Sequence, residues 1–312
     1  MTIQSKRAVP LTCSFRPCIL VSETHHPFLG EVGVFANALE RIARYGFYGA
    51  AGIAGVPDGG ERRQIADIVT TSGLSLTYWT SFVLVAQHLN LSALDPELRA
   101  RSVSTIKRQM DDALECGASA LGVLSGPDPG PAARPAALEA LCDSLRELAT
   151  AGANRLTVVI EPLDREIHKK GLLGPMSDSV AVLDKVAATA PAVKLGWDSG
   201  HVTLNKEQLA DSLALAKPFI SEVHISNPVL DAASPSFGDS HIPLGSPGRL
   251  TLDGMATILR LLRDAGLLAR PELGVAVEIR TPPGGDPWTT ERMGRDALLA
   301  AMERICSEGQ ST

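Results

Sequence analysis

The segment LTVVIEPLDR (156–165) constrains the fold of this chain more than any other stretch. An unbroken apolar and β-branched run reaches Ile160 and is bounded by Pro162, the pattern of a strand buried on both faces, as in a parallel sheet. Parallel α/β folds keep their chemistry at the C-terminal edges of their strands, where Glu161 falls. The pattern recurs downstream. VKLGWDSGH (193–201) delivers Asp198, ISEVHISN (220–227) delivers His224, and LGVAVEIR (273–280) delivers Glu278. Successive strands therefore carry Glu, Asp, His and Glu to one rim.

The rest of the chain has the same rhythm. Further strands are expected at 16–23, 49–54, 74–82 and 118–124, with helices at 35–45, 61–71, 96–115 and 136–151 between them. Helices at 177–188, 206–215, 252–265 and 291–305 separate or follow the later strands, and Gly46, Gly73 and Gly117 supply helix stops. A strand-helix unit of about 35–40 residues repeated eight times predicts a single (β/α)8 TIM barrel of the α/β class. An open doubly wound sheet would place a glycine-rich phosphate loop after its first strand, and no such loop is present. The expected division is a flexible N-terminal segment, 1–12, and one barrel over 13–312.

Composition narrows the functional classes. With 312 residues, 45% of them hydrophobic, the chain can bury one large core. A formal charge of −6 and a pI near 5.7 argue against a partner with a phosphate backbone, so no nucleic acid is expected. The sequence has no apolar run long enough to span a bilayer and no signal-like core near Met1, which predicts no membrane association and a cytoplasmic location. The five cysteines (Cys13, Cys18, Cys116, Cys142 and Cys306) lack CxxC spacing and support neither a disulfide framework nor a zinc knuckle.

A lone acid at a strand end is ordinarily a helix cap or an ion-pair partner, and a lone buried histidine a hydrogen-bonded interior group. Four such residues in order are different. Neighbouring strands lie about 4.8 Å apart, so Glu161, Asp198, His224 and Glu278 can converge on one divalent ion. Oxygen and imidazole donors point first to Mn²⁺, with Mg²⁺, Co²⁺ or Zn²⁺ as alternatives.

These motifs resemble those of the sugar isomerase/epimerase superfamily, which includes the xylose isomerase-like barrels, the ketose 3-epimerases and the endonuclease-IV-like barrels. EPLDR at 161–165 is similar to the fifth-strand motif, and DSGH at 198–201 to the sixth-strand Asp-x-x-His. His224 and Glu278 match the seventh and eighth strands. The resemblance implies that Glu161, Asp198, His224 and Glu278 hold the metal, that Glu161 and Glu278 also exchange protons with substrate, and that His201 contacts a substrate oxygen. It also implies a homodimer or homotetramer.

Two positions depart from the ketose epimerases. Ile167 stands where they carry a glutamate and Leu230 where they carry an arginine, which points to a substrate other than a free ketohexose. Arg165, Lys169, Lys170 and Arg280 are candidates to hold a substrate carboxylate or phosphate. In FGDSHIPLG (237–245), Asp239 and His241 resemble an endonuclease-IV-like loop that ligates a further metal; otherwise they order the loop over the site, or His241 acts as an extra acid or base. Trp79, Phe82 and Trp197 are candidates for an apolar wall, with Trp79 against substrate.

The expected function is a metal-dependent sugar isomerase or epimerase. Its small-molecule substrate would be a sugar or sugar-acid derivative that loses a proton next to a carbonyl and passes through an enediolate. A lyase cleaving a keto-glycoside shares the opening step. An endonuclease-IV-like phosphodiesterase is disfavoured by the acidic charge and by only seven histidines in the chain. A barrel that binds a ligand without turnover completes the alternatives.

Overall fold

The computed structural model describes residues 14–153 and 155–308, and the segment expected at 1–12 lies outside them. The chain opens with β1 (Arg16–Leu20), a single turn α1 (Val21–Thr24), α2 (Val34–Tyr45) and β2 (Ala50–Ile53). Next come α3 (Gly59–Ser72), β3 (Ser75–Trp79), α4 (Ser81–Ala86), α5 (Pro96–Glu115), β4 (Ala120–Leu124) and α6 (Arg134–Gly152). The second half runs through β5 (Thr157–Glu161), α7 (Met176–Ala187), β6 (Val193–Asp198), α8 (Ser199–Leu204) and α9 (Leu209–Ala216). It closes with β7 (Ile220–Ser226), α10 (Leu252–Asp264), β8 (Gly274–Glu278) and α11 (Pro287–Glu308). All strands pair in parallel and in sequence order, and β8 returns to β1 to close the barrel. Closure leaves no unpaired edge, and the long helices cover the outside with the apolar faces their periodicity supplies. Among the described residues no helix is long and apolar enough to cross a membrane.

Several elements end earlier than the apolar pattern suggests. The strand expected to run to residue 23 stops at Leu20, the last residue paired with β2, and the backbone then turns so that His25 N–H reaches the Val21 carbonyl. Glu23 is thereby placed on a helical turn at the barrel mouth. The third strand likewise stops at Trp79 and gives way to α4. The helix expected from residue 206 begins at Leu209, because Lys206 adopts a left-handed φ of 60°.

The start of α2 shows how adjacent units lock together. The helix buries Phe35, Ala36, Ala38, Leu39 and Ile42, the stripe that its sequence spacing dictates. Its N-cap is Gly33, which has no side chain to offer the free N–H groups. The Glu61 carboxylate of α3 takes that place, accepting from Gly33 N at 2.8 Å, Phe35 N at 2.9 Å and Ala36 N at 3.2 Å. A negative group at a helix N-terminus also opposes the macrodipole favourably. Glu61→Ala leaves three amides without this partner and should lower folding stability by about 2 kcal/mol in urea unfolding. A loss under about 0.5 kcal/mol, the scatter of ordinary surface changes, would show that water replaces the carboxylate.

Candidate metal centre at the barrel mouth

Strand alternation turns every second side chain of each strand into the barrel, and the shear of a closed barrel staggers those layers between neighbours. Asp198 and His224 are register partners on β6 and β7, whereas Glu278 on β8 pairs with Ser226, one layer higher. Glu161 ends β5. The four side chains are all buried, and their ligand atoms lie within 4.8 Å of one another. His224 Nδ1 is 2.8 Å from Glu161 Oε1 and 3.7 Å from Glu278 Oε2. This is the constellation expected from the sequence.

Asp198 supplies the sharpest test of whether a cation fits. Its Oδ1 accepts from Gly200 N, His201 N and Ser226 Oγ at 2.6, 2.9 and 2.7 Å, so it caps α8 and is fixed in place. Its Oδ2 is buried and has no hydrogen-bond partner among the described residues. An unpartnered carboxylate oxygen beside two glutamates and an imidazole is costly unless positive charge meets it. Three carboxylates and one imidazole are hard oxygen and nitrogen donors, and they fit a divalent ion such as Mn²⁺, Mg²⁺, Co²⁺ or Zn²⁺.

The electrostatics carry the same demand. Burial lifts the Asp198 carboxyl to about 6, with Glu278 and Asp239 adding to the rise and His201 opposing it. Burial alone would lower His224, but Glu161, through charge and hydrogen bond, and then Glu222 and Glu278 hold its imidazolium well above the ordinary histidine range.

Beside this set lies a second polar group. Glu23, His241 and Glu278 bring ligand atoms together, and His241 Nδ1 is 3.0 Å from Glu278 Oε1 and 3.7 Å from Glu23 Oε2. His241 Nε2 is 3.0 Å from Asp239 Oδ2, which also lies 3.1 Å from Lys169 Nζ and 3.7 Å from His201 Nε2. His201 Nδ1 in turn faces Asp164 at 3.6 Å. Burial opposes charge on His201, yet Asp239 and Asp164 raise it to about 9. His241, against Asp239, Glu278 and Glu23, is likewise raised despite burial.

The loop bearing Asp239 and His241 is tied down at its base. Asn227 Nδ2 donates to the Pro243 and Gly245 carbonyls at 2.6 and 2.9 Å, and its Oδ1 accepts from Leu250 N at 2.6 Å. Further out, Val229 and Gly238 exchange backbone hydrogen bonds in both directions.

Trp79 forms the floor. It is 4% exposed, its ring centroid is 5.2 Å from that of His224, and it lines the cavity at the mouth with Glu23, Glu161, His224 and Glu278. The indole fits because opposite positions lack side chains. A Cβ on Gly122 would stand 2.1 Å from Trp79 Cε3, and one on Gly52 would stand 2.7 Å from Leu20 Cδ2 and 3.1 Å from Trp79 Nε1. A different, smaller cavity lies between β1, β8 and α11 and shares none of these acids.

Other candidates sit elsewhere. The Arg165 guanidinium bonds Asp178 at 2.7 Å and the Leu172 carbonyl, which commits it to the loop and first turn of α7. Arg280 Nε is 2.6 Å from Glu23 Oε2 and so touches the site through that acid. Trp197 faces outward, with Nε1 donating to Ser212 Oγ of α9 at 3.1 Å, and forms no wall of the site. Phe82 reaches the rim, its ring 5.8 Å from that of His26. Glu23, Glu222 and Ser226, which the sequence pattern does not single out, also reach the site, and so does Asp164, which lies within the EPLDR motif without a role assigned there. Glu222 has a legible signal all the same, standing two residues before His224 and so on the same strand face.

The chain belongs to the family of xylose isomerase-like TIM barrels, whose model matches residues 39–298. Among solved structures it is similar to the D-psicose 3-epimerase of Clostridium cellulolyticum H10, at 16% identity and TM-score 0.65, over 93% of this chain and 97% of that one. It is also similar to an AP endonuclease, family 2, from Brucella melitensis, at 18% identity and TM-score 0.63, over 88% and 96%. The zinc-bound IOLI protein aligns at 12% identity and TM-score 0.68, over 93% and 99%. No curated protein matches by sequence.

Two outcomes are expected. Gly122→Ala displaces the indole and should quench or shift Trp79 fluorescence, read against Trp79→Phe; an unchanged spectrum would mean that the floor yields elsewhere. Divalent-ion affinity should fall as pH drops through about 6, where Asp198 takes up its proton. Each displaced proton makes the slope roughly tenfold per pH unit, measured by chelator competition. A flat profile from pH 5 to 8 would remove Asp198 and His224 from the ligand set.

Proposed function

We propose that this protein is a divalent-metal-dependent isomerase or epimerase that removes and returns a proton beside a carbonyl of a neutral sugar or keto-sugar. The partnerless Asp198 Oδ2, facing donors from Glu161, His224 and Glu278, carries the reading. These four residues would hold the ion, with Mn²⁺ preferred. When bound, such an ion supplies Lewis-acid polarisation of the substrate oxygens and stabilises the negative charge of an enediolate.

The chain's own groups do the proton work. Glu161 and Glu278 stand on strands separated by β6 and β7 and flank the cavity, so one carboxylate removes the proton and the other returns it. His201, whose ring nitrogens lie 3.6 and 3.7 Å from their acids, offers an N–H to a substrate oxygen, while His241 is held between Glu278 and Asp239 and borders the same side. Trp79 presents an apolar face beneath the ring and excludes water from one side.

Charge favours an uncharged substrate. Among the described residues the lysine and arginine that touch the acids of the site are each engaged, Lys169 with Asp239 and Arg280 with Glu23, while Arg165 is held by Asp178. Glu23, Glu161 and Glu278 line the cavity, Asp198 joins Glu161 and Glu278 in one cluster, and Asp239 stands behind His241. For a sugar acid or sugar phosphate, the negative field of these acids would be opposed by the ion and the imidazoles alone, with no uncommitted lysine or arginine among the described residues. The same field opposes a phosphodiester backbone.

Metal analysis of the purified protein should find about one divalent ion per chain, lost in His224→Ala. Neutral ketoses and keto-sugars incubated in D₂O should acquire deuterium beside the carbonyl, and Glu161→Gln should slow this by about 10²–10⁴-fold. Two ions per chain would bring His241 and Asp239 into a second metal site and favour a hydrolase. Absence of any ion after reconstitution would leave a ligand-binding barrel.

A further inference from the structure

Glu222 is a buried acid outside the ligand set. It projects from β7 into the barrel on the face that carries His224, one layer deeper. Its two oxygens have separate partners. Oε1 is 3.2 Å from His224 Nε2, and Oε2 accepts the Thr77 hydroxyl of β3 at 2.9 Å. Cys18 Sγ, at 4.0 Å from Oε1, is a further neighbour. Among the described residues no lysine or arginine pairs with Glu222, and His224 is its single ion-pairing partner.

A carboxylate buried in a barrel core without a lysine or arginine to pair it is expensive. A neutral amide or hydroxyl could orient an imidazole at lower cost, so the negative charge needs a reason. The opposite edge of the ring provides one. Nδ1 faces the carboxylates of Glu161 and Glu278, the side on which a divalent ion would lie, and an imidazole serves as a ligand there only when the proton sits on Nε2.

We propose that Glu222 is a positioning residue of the metal centre, accepting Nε2–H of His224 so that the Nδ1 lone pair faces the other ligands, with Thr77 anchoring the carboxylate. The inference rests on the metal reading given above. A carboxylate behind a ligating histidine fixes its tautomer and raises its basicity, and loss of such a partner typically costs 10–100-fold in metal affinity. Thr77 then belongs to the centre as well, although it stands on the far side of the barrel from β7.

The test compares the full-length parent chain, Glu222→Gln and Thr77→Val. Co²⁺ binding is followed by its visible absorption and by competition with a chromogenic chelator, beside the melting temperature of each metal-free protein. Glu222→Gln should weaken Co²⁺ binding by about 10–100-fold and alter the absorption bands while the metal-free protein melts near the parent. Thr77→Val should weaken binding in the same direction by a smaller factor. Parent-like affinity and spectrum in Glu222→Gln would overturn the proposal and leave Glu222 a packing residue. Should that variant not fold, parent-like binding in Thr77→Val would overturn it instead. A parent that takes up no Co²⁺ would defeat the metal reading itself and this inference with it.

Discussion

Negative charge packed into a low-dielectric barrel mouth is the condition around which this structure is arranged. Like charges a few ångströms apart in a protein interior repel strongly, so each acid needs a hydrogen-bond donor, a cation or a proton. The structure answers differently for each. Asp198 spends one oxygen on the start of α8 and leaves the other bare. Asp164 accepts the His168 and Lys169 amides, Glu23 takes Arg280, and Asp239 takes Lys169. Among the described residues Glu161 and Glu278 find imidazoles instead, His224 for the first and His241 with His224 for the second.

The barrel makes this crowding possible because parallel strands of nearly equal length end on one rim. It also explains why the interior beneath the rim is small in side chain. Cys18, Leu20, Ala50 and Ala276 form a separate inner cluster, and glycines at 52 and 122 leave room for one indole. A single large aromatic residue thus replaces several aliphatic ones as the floor, and it joins the packing of the core to the shape of the cavity.

Much of this arrangement is legible in the amino-acid sequence. The runs ending at Glu161, Asp198, His224 and Glu278 declare their positions because a doubly buried strand is apolar until the rim, where a polar residue breaks the run. Residues contributed by turns are harder to see. Glu23 reads as the end of a strand, but the backbone coils after Leu20, and no local pattern marks that change. The capping of α2 by Glu61 is invisible in the sequence because the contact joins residues far apart in the chain. Arg165 follows a rim motif yet turns to Asp178, since a long side chain takes the nearest partner in space. Charges near a motif indicate supply, not allocation.

The loop between β7 and α10 has a consequence for how this scaffold can diversify. Asn227 grips the loop at 243, 245 and 250, and the Val229–Gly238 pair closes a second clasp. The stretch 230–237 is therefore a module outside both clasps. Selection can rewrite or lengthen its outer part, and so remodel what the mouth admits, while the Ser240 hydroxyl keeps its 3.0 Å bond to the Ser236 carbonyl beside Asp239 and His241. Innovation at the rim and constancy at the metal centre become separable by the reach of one asparagine.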